Sequence, residues 1–327
     1  MKPSRIQDVL TRLMSQRWPA FVWGPPGVGK SAIVKTVAEV AGKNVLDLRA
    51  SLLDPTDLRG IPAIEDGKAV WCPPSFLPKD SDPAGILFLD EINAAPPLVQ
   101  ASLYQLVLDR RVGEYELPEG WWIVAAGNRQ FDRSVVFKLS SALANRFVHL
   151  EFEVNAADWR EWAIDKRVSP LVTGFIALRP ELLLGEPGES PAYPTPRTWE
   201  IVSDIIHSFD SIDGCRDLIA GAVGEGPAVE FLAYIDRNVR EKDFLHIVDA
   251  PDSAELPTSL GDIYALTSWL AYHASDGGIR KSAGILLPRL TPEFGVVLAR
   301  DMVKASTSFI KESGYKKFIK MHDDLIV

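Results

Sequence analysis

The octet Gly24-Pro25-Pro26-Gly27-Val28-Gly29-Lys30-Ser31 has the spacing Gly, four residues, Gly-Lys-Ser. That spacing suits the phosphates of a nucleotide. Glycines reach backbone conformations closed to other residues, so consecutive N–H groups can turn toward phosphate oxygens. A helix beginning just behind them adds partial positive charge. Lys30 would reach the β- and γ-phosphates, and Ser31 would offer its hydroxyl to Mg2+. Gly24 through Ser31, with Ala32 behind them, are therefore the candidate residues for binding ATP.

Four further positions could complete a hydrolytic site. Asp90 and Glu91 close the apolar run Ile86-Leu87-Phe88-Leu89. Ligands gather at the carboxyl ends of strands in open α/β sheets. There Asp90 would hold the magnesium shell and Glu91 would act as general base on water. Asn128 follows a second apolar run, Trp121 to Ala126, and could orient that water; its competing role is to cap a loop. Arg146 precedes a last strand and could cross a subunit interface to neutralise γ-phosphate charge; otherwise it is a surface arginine paired with a carboxylate. Arg110, Arg111 and Arg133 are weaker candidates for the same interface. Arg197 opens a helix well past the strands, where the dipole disfavours a cation. It could reach the γ-phosphate from a helical second domain. His149, His207, His246, His273 and His322 show no metal-ligand spacing and are expected to be structural or superficial.

The elements that must hold these residues alternate. Short apolar runs at 20–23, 45–48, 86–89, 121–126 and 147–152 read as buried strands, and Ser31 to Val40 as a helix. Strands without polar alternation, separated by helices, imply a parallel sheet covered on both faces. The segment 54–83 breaks the rhythm with six prolines and the turn dipeptide Asp66-Gly67, and reads as an insertion with a small hairpin. A second hairpin is expected over 111–121, turning near Pro118-Glu119-Gly120. Beyond about residue 155 the strand signal stops. Helices are expected at 156–168, 171–184 and 197–209, with apolar periodicity again near 226–236, 262–273 and 293–310. The basic stretch from Lys304 to Lys320 reads as a solvated helix face or a contact for an acidic partner.

Composition narrows the classes. The 327 residues are 46% hydrophobic, which excludes wholesale disorder. Thirty-five basic residues against forty-four acidic ones leave a net charge of −9, which argues against a surface built to wrap nucleic acid or coat an anionic membrane. Two cysteines, Cys72 and Cys215, cannot make a disulfide framework or a cysteine-based zinc site. The first residues do not read as a signal peptide, and no apolar run reaches 18 residues. The expectation is a cytoplasmic protein that does not span a membrane.

As a set, the motifs resemble those of the MoxR group of AAA+ ATPases, in the helix-2-insert clade. The resemblance rests on Gly24–Ser31, Thr56-Asp57-Leu58-Arg59-Gly60, Phe88-Leu89-Asp90-Glu91-Ile92-Asn93, Ala126-Gly127-Asn128, Asn145-Arg146-Phe147 and Thr195-Pro196-Arg197, in that order. It covers roughly residues 5–210. It implies sensor 1 at Asn128, the arginine finger at Arg146 and sensor 2 at Arg197. It also implies a nucleotide core over 1–155 with sheet order 5-1-4-3-2, a helical lid over 156–240, and a helical extension over 241–327 that matches nothing in the family pattern. The segment 54–83 would be the helix-2 insertion, and 111–121 the hairpin before sensor 1. The sensor 2 motif here is Thr-Pro-Arg-Thr, where Ser-Pro-Arg and a small residue are usual. The family forms hexameric rings that hydrolyse ATP with Mg2+ at subunit interfaces. Its members remodel or activate a client protein or assist its metal insertion, often with a partner carrying a von Willebrand factor A-type domain. Two rival readings stand beside this one: a DNA-dependent, helicase-like motor, and a slow nucleotide switch that scaffolds partners. Against the motor, the 54–83 insertion carries Arg59 and Lys68 before Lys79, facing Asp54, Asp57, Glu65 and Asp66.

Overall fold

The computed structural model describes residues 1–129, 132, 137–188, 190–238 and 240–322. They form two compact units, Met1–Val154 and Asn155–Val327.

The first unit begins with α1 (Pro3–Gln16), β1 (Ala20–Trp23), α2 (Lys30–Val40) and β2 (Asn44–Arg49). It continues through α3 (Pro55–Arg59), the hairpin β3 (Ile61–Glu65) and β4 (Lys68–Cys72), then β5 (Gly85–Asp90) and α4 (Pro97–Asp109). A second hairpin, β6 (Arg111–Val112) and β7 (Tyr115–Glu116), leads to β8 (Trp122–Gly127), α5 (Ser141–Ala144) and β9 (Val148–Glu151). Five strands pair in the order β2-β5-β8-β1-β9, all parallel. Counting core strands alone and reading from the β9 edge, this is the expected order 5-1-4-3-2. The inner strands β5 and β8 are buried along almost their whole length, as continuous apolar runs require. Their side chains pack with α4 in a core that includes Phe21, Leu87, Leu89, Leu103, Leu106 and Ile123. The order sets β1, β5 and β8 side by side, so the loops at their carboxyl ends open onto one edge.

Both insertions are hairpins. Asp66 and Gly67 turn the first with φ of 48° and 74°, the twist a two-residue hairpin needs. Gly60 closes its base, since a Cβ there would lie 2.0 Å from the Cys72 carbonyl oxygen. The second hairpin turns at Gly113-Glu114, with Gly113 at φ 60°, and not at Pro118-Glu119-Gly120. The latter makes a separate turn, in which Trp121 N–H donates to the Pro118 carbonyl at 3.0 Å on the way into β8. Tyr115 ties the second hairpin to the stretch that follows β4, donating from its hydroxyl to the Pro78 carbonyl at 2.8 Å.

The second unit is helical: α6 (Ala156–Asp165), α7 (Pro170–Leu178), α8 (Pro196–Ser208), α9 (Arg216–Val223), α10 (Glu225–Asn238), α11 (Glu241–Asp249), α12 (Leu260–Tyr272), α13 (Gly277–Leu286), α14 (Pro292–Ala305) and α15 (Ser313–Met321). The helix expected over 171–184 ends at Leu178, because Pro180 biases the residue before it out of the helical region. An aromatic cluster centres on Phe175, whose ring lies 5.4 Å from Trp199 and 5.2 Å from Phe231. Helices from both sides of residue 240 share this unit's core. Within it, α12 packs on α7 and α14 packs on α6. Arg160 of α6 and Asp301 of α14 form an ion pair of 2.6 Å, with side chains 5% and 0% exposed.

A buried pair is costly to assemble but costlier to halve. Asp301→Ala should therefore lose about 3–5 kcal/mol in chemical denaturation, as expected for an orphaned buried charge. The double change Arg160→Met with Asp301→Leu should recover most of that loss.

Candidate functional site

The phosphate loop runs from the end of β1 to the start of α2. Gly27 and Gly29 hold φ of 77° and 100°, and an added Cβ at Gly29 would meet nothing but would still be strained. These two residues let the loop fold back on itself. Lys30 begins α2 and is only 8% exposed. Its Nζ donates to the carbonyls of Gly24 and Pro25, at 2.8 and 2.9 Å, and to Asn128 Oδ1 at 2.9 Å. The ammonium thus joins the loop to the end of β8. Gly24 N–H donates to the Gly127 carbonyl at 3.2 Å, which closes the same gap through the backbone.

One residue on, Ser31 donates its hydroxyl to Asp90 Oδ2 at 3.0 Å, so α2 also reaches the end of β5. Asp90 Oδ1 accepts from the Glu91 N–H at 2.9 Å. Burial pushes the Asp90 carboxyl above its ordinary value of 3.8; the Ser31 and Glu91 hydrogen bonds and the Lys30 charge oppose that rise. Glu91 itself sits at φ 55°, a left-handed conformation that is strained for any side chain but glycine. This turns the chain sharply at the sheet edge. The Glu91 carboxylate accepts from the Ser51 hydroxyl at 2.6 Å.

Lys30, Ser31, Asp90, Glu91 and Asn128 therefore form one cluster on three adjacent strand ends. Arg146 lies elsewhere in the same unit, exposed after α5. Arg197 belongs to the second unit, exposed on the first turn of α8. That helix has a reciprocal cap: Thr198 N–H donates to Thr195 Oγ1 at 3.1 Å, and Thr195 N–H donates to Thr198 Oγ1 at 2.7 Å. The second threonine of Thr-Pro-Arg-Thr thus has a structural purpose. Arg110 is committed to the second hairpin, donating to the carbonyls of Pro118 and Trp121 at 2.7 and 2.8 Å. Arg111 pairs with Glu116 at 3.1 Å. Arg133 lies outside the described residues. Among the described residues no three His, Cys, Asp or Glu side chains gather as a metal cage. No helix among them is long and apolar enough to cross a membrane.

Two further residues hold the site in place, one of them, Ser51, outside every motif and the other, Asn93, at the end of one but with no role assigned to it. Ser51 lies in a short turn after β2 and meets Glu91 only through the β2–β5 pairing. Asn93, 3% exposed, donates from Nδ2 to the Asn128 carbonyl at 2.6 Å and so holds that residue's backbone. Its Oδ1 would lie 2.3 Å from a Cβ at position 127, so Gly127 must remain glycine.

Comparison with known proteins agrees with this geometry. Residues 19–147 match the family model described as AAA domain (dynein-related subfamily). Protein MoxR of Paracoccus denitrificans is 32% identical over 139 residues, covering 41% of this chain and 40% of that protein. Protein MoxR of Methylorubrum extorquens is 26% identical over 236 residues, covering 69% and 60%. Chaperone MoxR1 of Mycobacterium tuberculosis is 29% identical over 157 residues, covering 46% and 39%. Residues 19–147 of this chain are thus similar to an AAA domain, and proteins named MoxR are among its relatives. The chain spans less than two thirds of the length of each of these MoxR relatives. The matched AAA domain contains the whole phosphate loop, Asp90, Glu91, Asn128 and Arg146, and ends before the helical unit.

The buried Asp90 makes a prediction with a definite sign. A carboxyl whose pKa is raised on folding weakens the fold once it ionises. Asp90→Asn should therefore raise the melting temperature of the nucleotide-free protein at neutral pH. The gain should fade as the pH falls through the raised Asp90 value, where the native carboxyl is itself neutral. Melting curves across that range check it.

Proposed function

We propose that this chain is an AAA+ ATPase that hydrolyses ATP to ADP and phosphate at a site shared between neighbouring subunits of a ring, and uses the cycle to remodel a client protein. The observation that carries the reading is the single polar cluster in which Lys30 joins the phosphate loop to Asn128 while Ser31 joins it to Asp90. Such a cluster offers donors to phosphates on one side and a carboxylate pair on the other.

The residues fit a magnesium ion. Ser31 and Asp90 present a hydroxyl and a carboxylate 3.0 Å apart, both hard oxygen donors. A small protein donor set suits this ion, which keeps waters and takes phosphate oxygens as further ligands. When bound, it would offset charge on the β- and γ-phosphates. The backbone N–H groups of Gly27 to Lys30 would cradle those phosphates, and Lys30 would turn from its carbonyl partners toward them. Glu91, released from Ser51, would take the proton of the attacking water, and Asn128 would orient that water. Arg146 of the next subunit would meet the developing charge. Arg197 would read the γ-phosphate from the lid, taken as residues 156–240, with the helices between 241 and 321 completing the lid's core.

Client remodelling draws support from the first hairpin. Ile64 and Trp71, on one face of it, are 84% and 39% exposed, an apolar surface suited to gripping protein. The second hairpin, bonded through Tyr115 to the stretch after β4, would pass hydrolysis-driven motion toward that surface. The relative named as a chaperone points the same way. A hexameric ring, a place in the helix-2-insert clade, a von Willebrand factor A-type partner and assistance in metal insertion are the family expectations this reading carries. The site is expected to work in the cytoplasm, where ATP is available.

The test is a pair of variants. Glu91→Gln should keep ATP binding but lower turnover by about a hundredfold or more, the usual loss for a general base. Arg146→Ala should be similarly inactive. Mixing the two should restore turnover, because some interfaces then combine an intact Glu91 with an intact Arg146. Wild-type turnover by Glu91→Gln, or no recovery on mixing, would contradict the shared site.

A further inference from the structure

His149 lies on β9, the edge strand, and no step above uses it. Its ring bridges the Trp23 side chain and the backbone at Ala144. Trp23 Nε1 donates to His149 Nδ1 at 2.8 Å. His149 Nε2 meets the Ala144 carbonyl at 2.8 Å. A ring nitrogen that accepts from an indole N–H carries no proton, and one that faces a carbonyl must carry one. The two contacts together select the neutral ring with its proton on Nε2. The ring also lies close to parallel with the Trp23 indole, at 5.9 Å and 23°, and Trp23 stacks on Phe21 at 4.0 Å.

The two partners belong to segments that serve different sites. Trp23 ends β1, and the next residue, Gly24, gives its carbonyl to Lys30 Nζ. Ala144 ends α5, two residues before Arg146. The β1–β9 ladder cannot hold this second segment. It begins at Ala20 against Val148, beyond residues 144–146. Leu143 and Phe147 fix the segment by apolar packing in the core. His149 adds a polar tie from its last helical carbonyl to the strand that carries the phosphate loop.

We infer that His149 is a positioning residue that fixes the Arg146 segment against the phosphate-loop strand, so that the nucleotide pocket of one subunit sets the arginine it offers to its neighbour. The inference rests on the reading of Arg146 as a residue acting across an interface. It predicts an effect in trans: loss of His149 should damage the site on the neighbouring subunit and spare ATP binding in its own.

The experiment uses full-length variants. His149→Ala should lower kcat for ATP hydrolysis by about tenfold or more, as small displacements of a catalytic group do, with KM and melting temperature near wild type. His149→Gln, which can keep a donor toward the Ala144 carbonyl, should recover most of that loss. The decisive arm uses mixed subunits. Arg146→Ala subunits regain turnover when mixed with Glu91→Gln subunits, which supply the arginine. Adding His149→Ala to the Glu91→Gln subunits should cut that recovery by about the same tenfold or more. Recovery at full strength with the double variant would overturn the inference while leaving the shared site intact. Wild-type turnover by Arg146→Ala alone would overturn the interface reading and, with it, the role of His149.

Discussion

The site depends on a buried cation. Lys30 is almost wholly removed from solvent, and an ammonium in that position must find acceptors at close range. It finds them in the phosphate loop itself, at Gly24 and Pro25, and across the sheet edge at Asn128. Asn128 is within reach only because β8 lies beside β1 in the sheet. The strand order is therefore a condition of the charge being tolerable, and on the proposed reading that charge serves the phosphates.

Neighbouring features follow from the same constraint. Asn128 must keep its place to receive the ammonium, and Asn93 holds it by the backbone. Asn93 approaches so closely that position 127 can carry no side chain. On the other flank, Ser31 ties α2 to Asp90, whose burial raises its pKa. Glu91 adopts a left-handed backbone and is held by Ser51. A strained residue with a raised-pKa neighbour is what a site looks like when it is shaped for a ligand and not for stability. The resulting loss of stability is small beside a core of fully buried side chains such as Phe21 and Phe88.

Much of this was legible in the residues. Strands β1, β5 and β8 are apolar runs, and their ends are marked by Gly24, Asp90 and Asn128. Asp66-Gly67 announced its turn because the backbone there needs left-handed residues. The same logic applied to Pro118-Glu119-Gly120 misplaced the second turn, since Gly113 supplies the left-handed residue instead. Arg110 looked free for an interface but is consumed by hairpin carbonyls, which no spacing reveals. The partners of Ser51, Asn93 and His149 were hidden for a related reason. Each gains its partner through strand pairing or loop packing, far along the chain from the motif it serves.

The central claim is that Lys30 and the strand ends around it bind the phosphates of ATP. Equilibrium titration of ATP with Mg2+ into the wild-type protein and into Lys30→Ala tests it most directly. The wild type should bind, and the variant should bind about ten- to a hundredfold more weakly, the range for losing a charged hydrogen-bond donor. Equal affinity in the two proteins, with both correctly folded, would contradict the account.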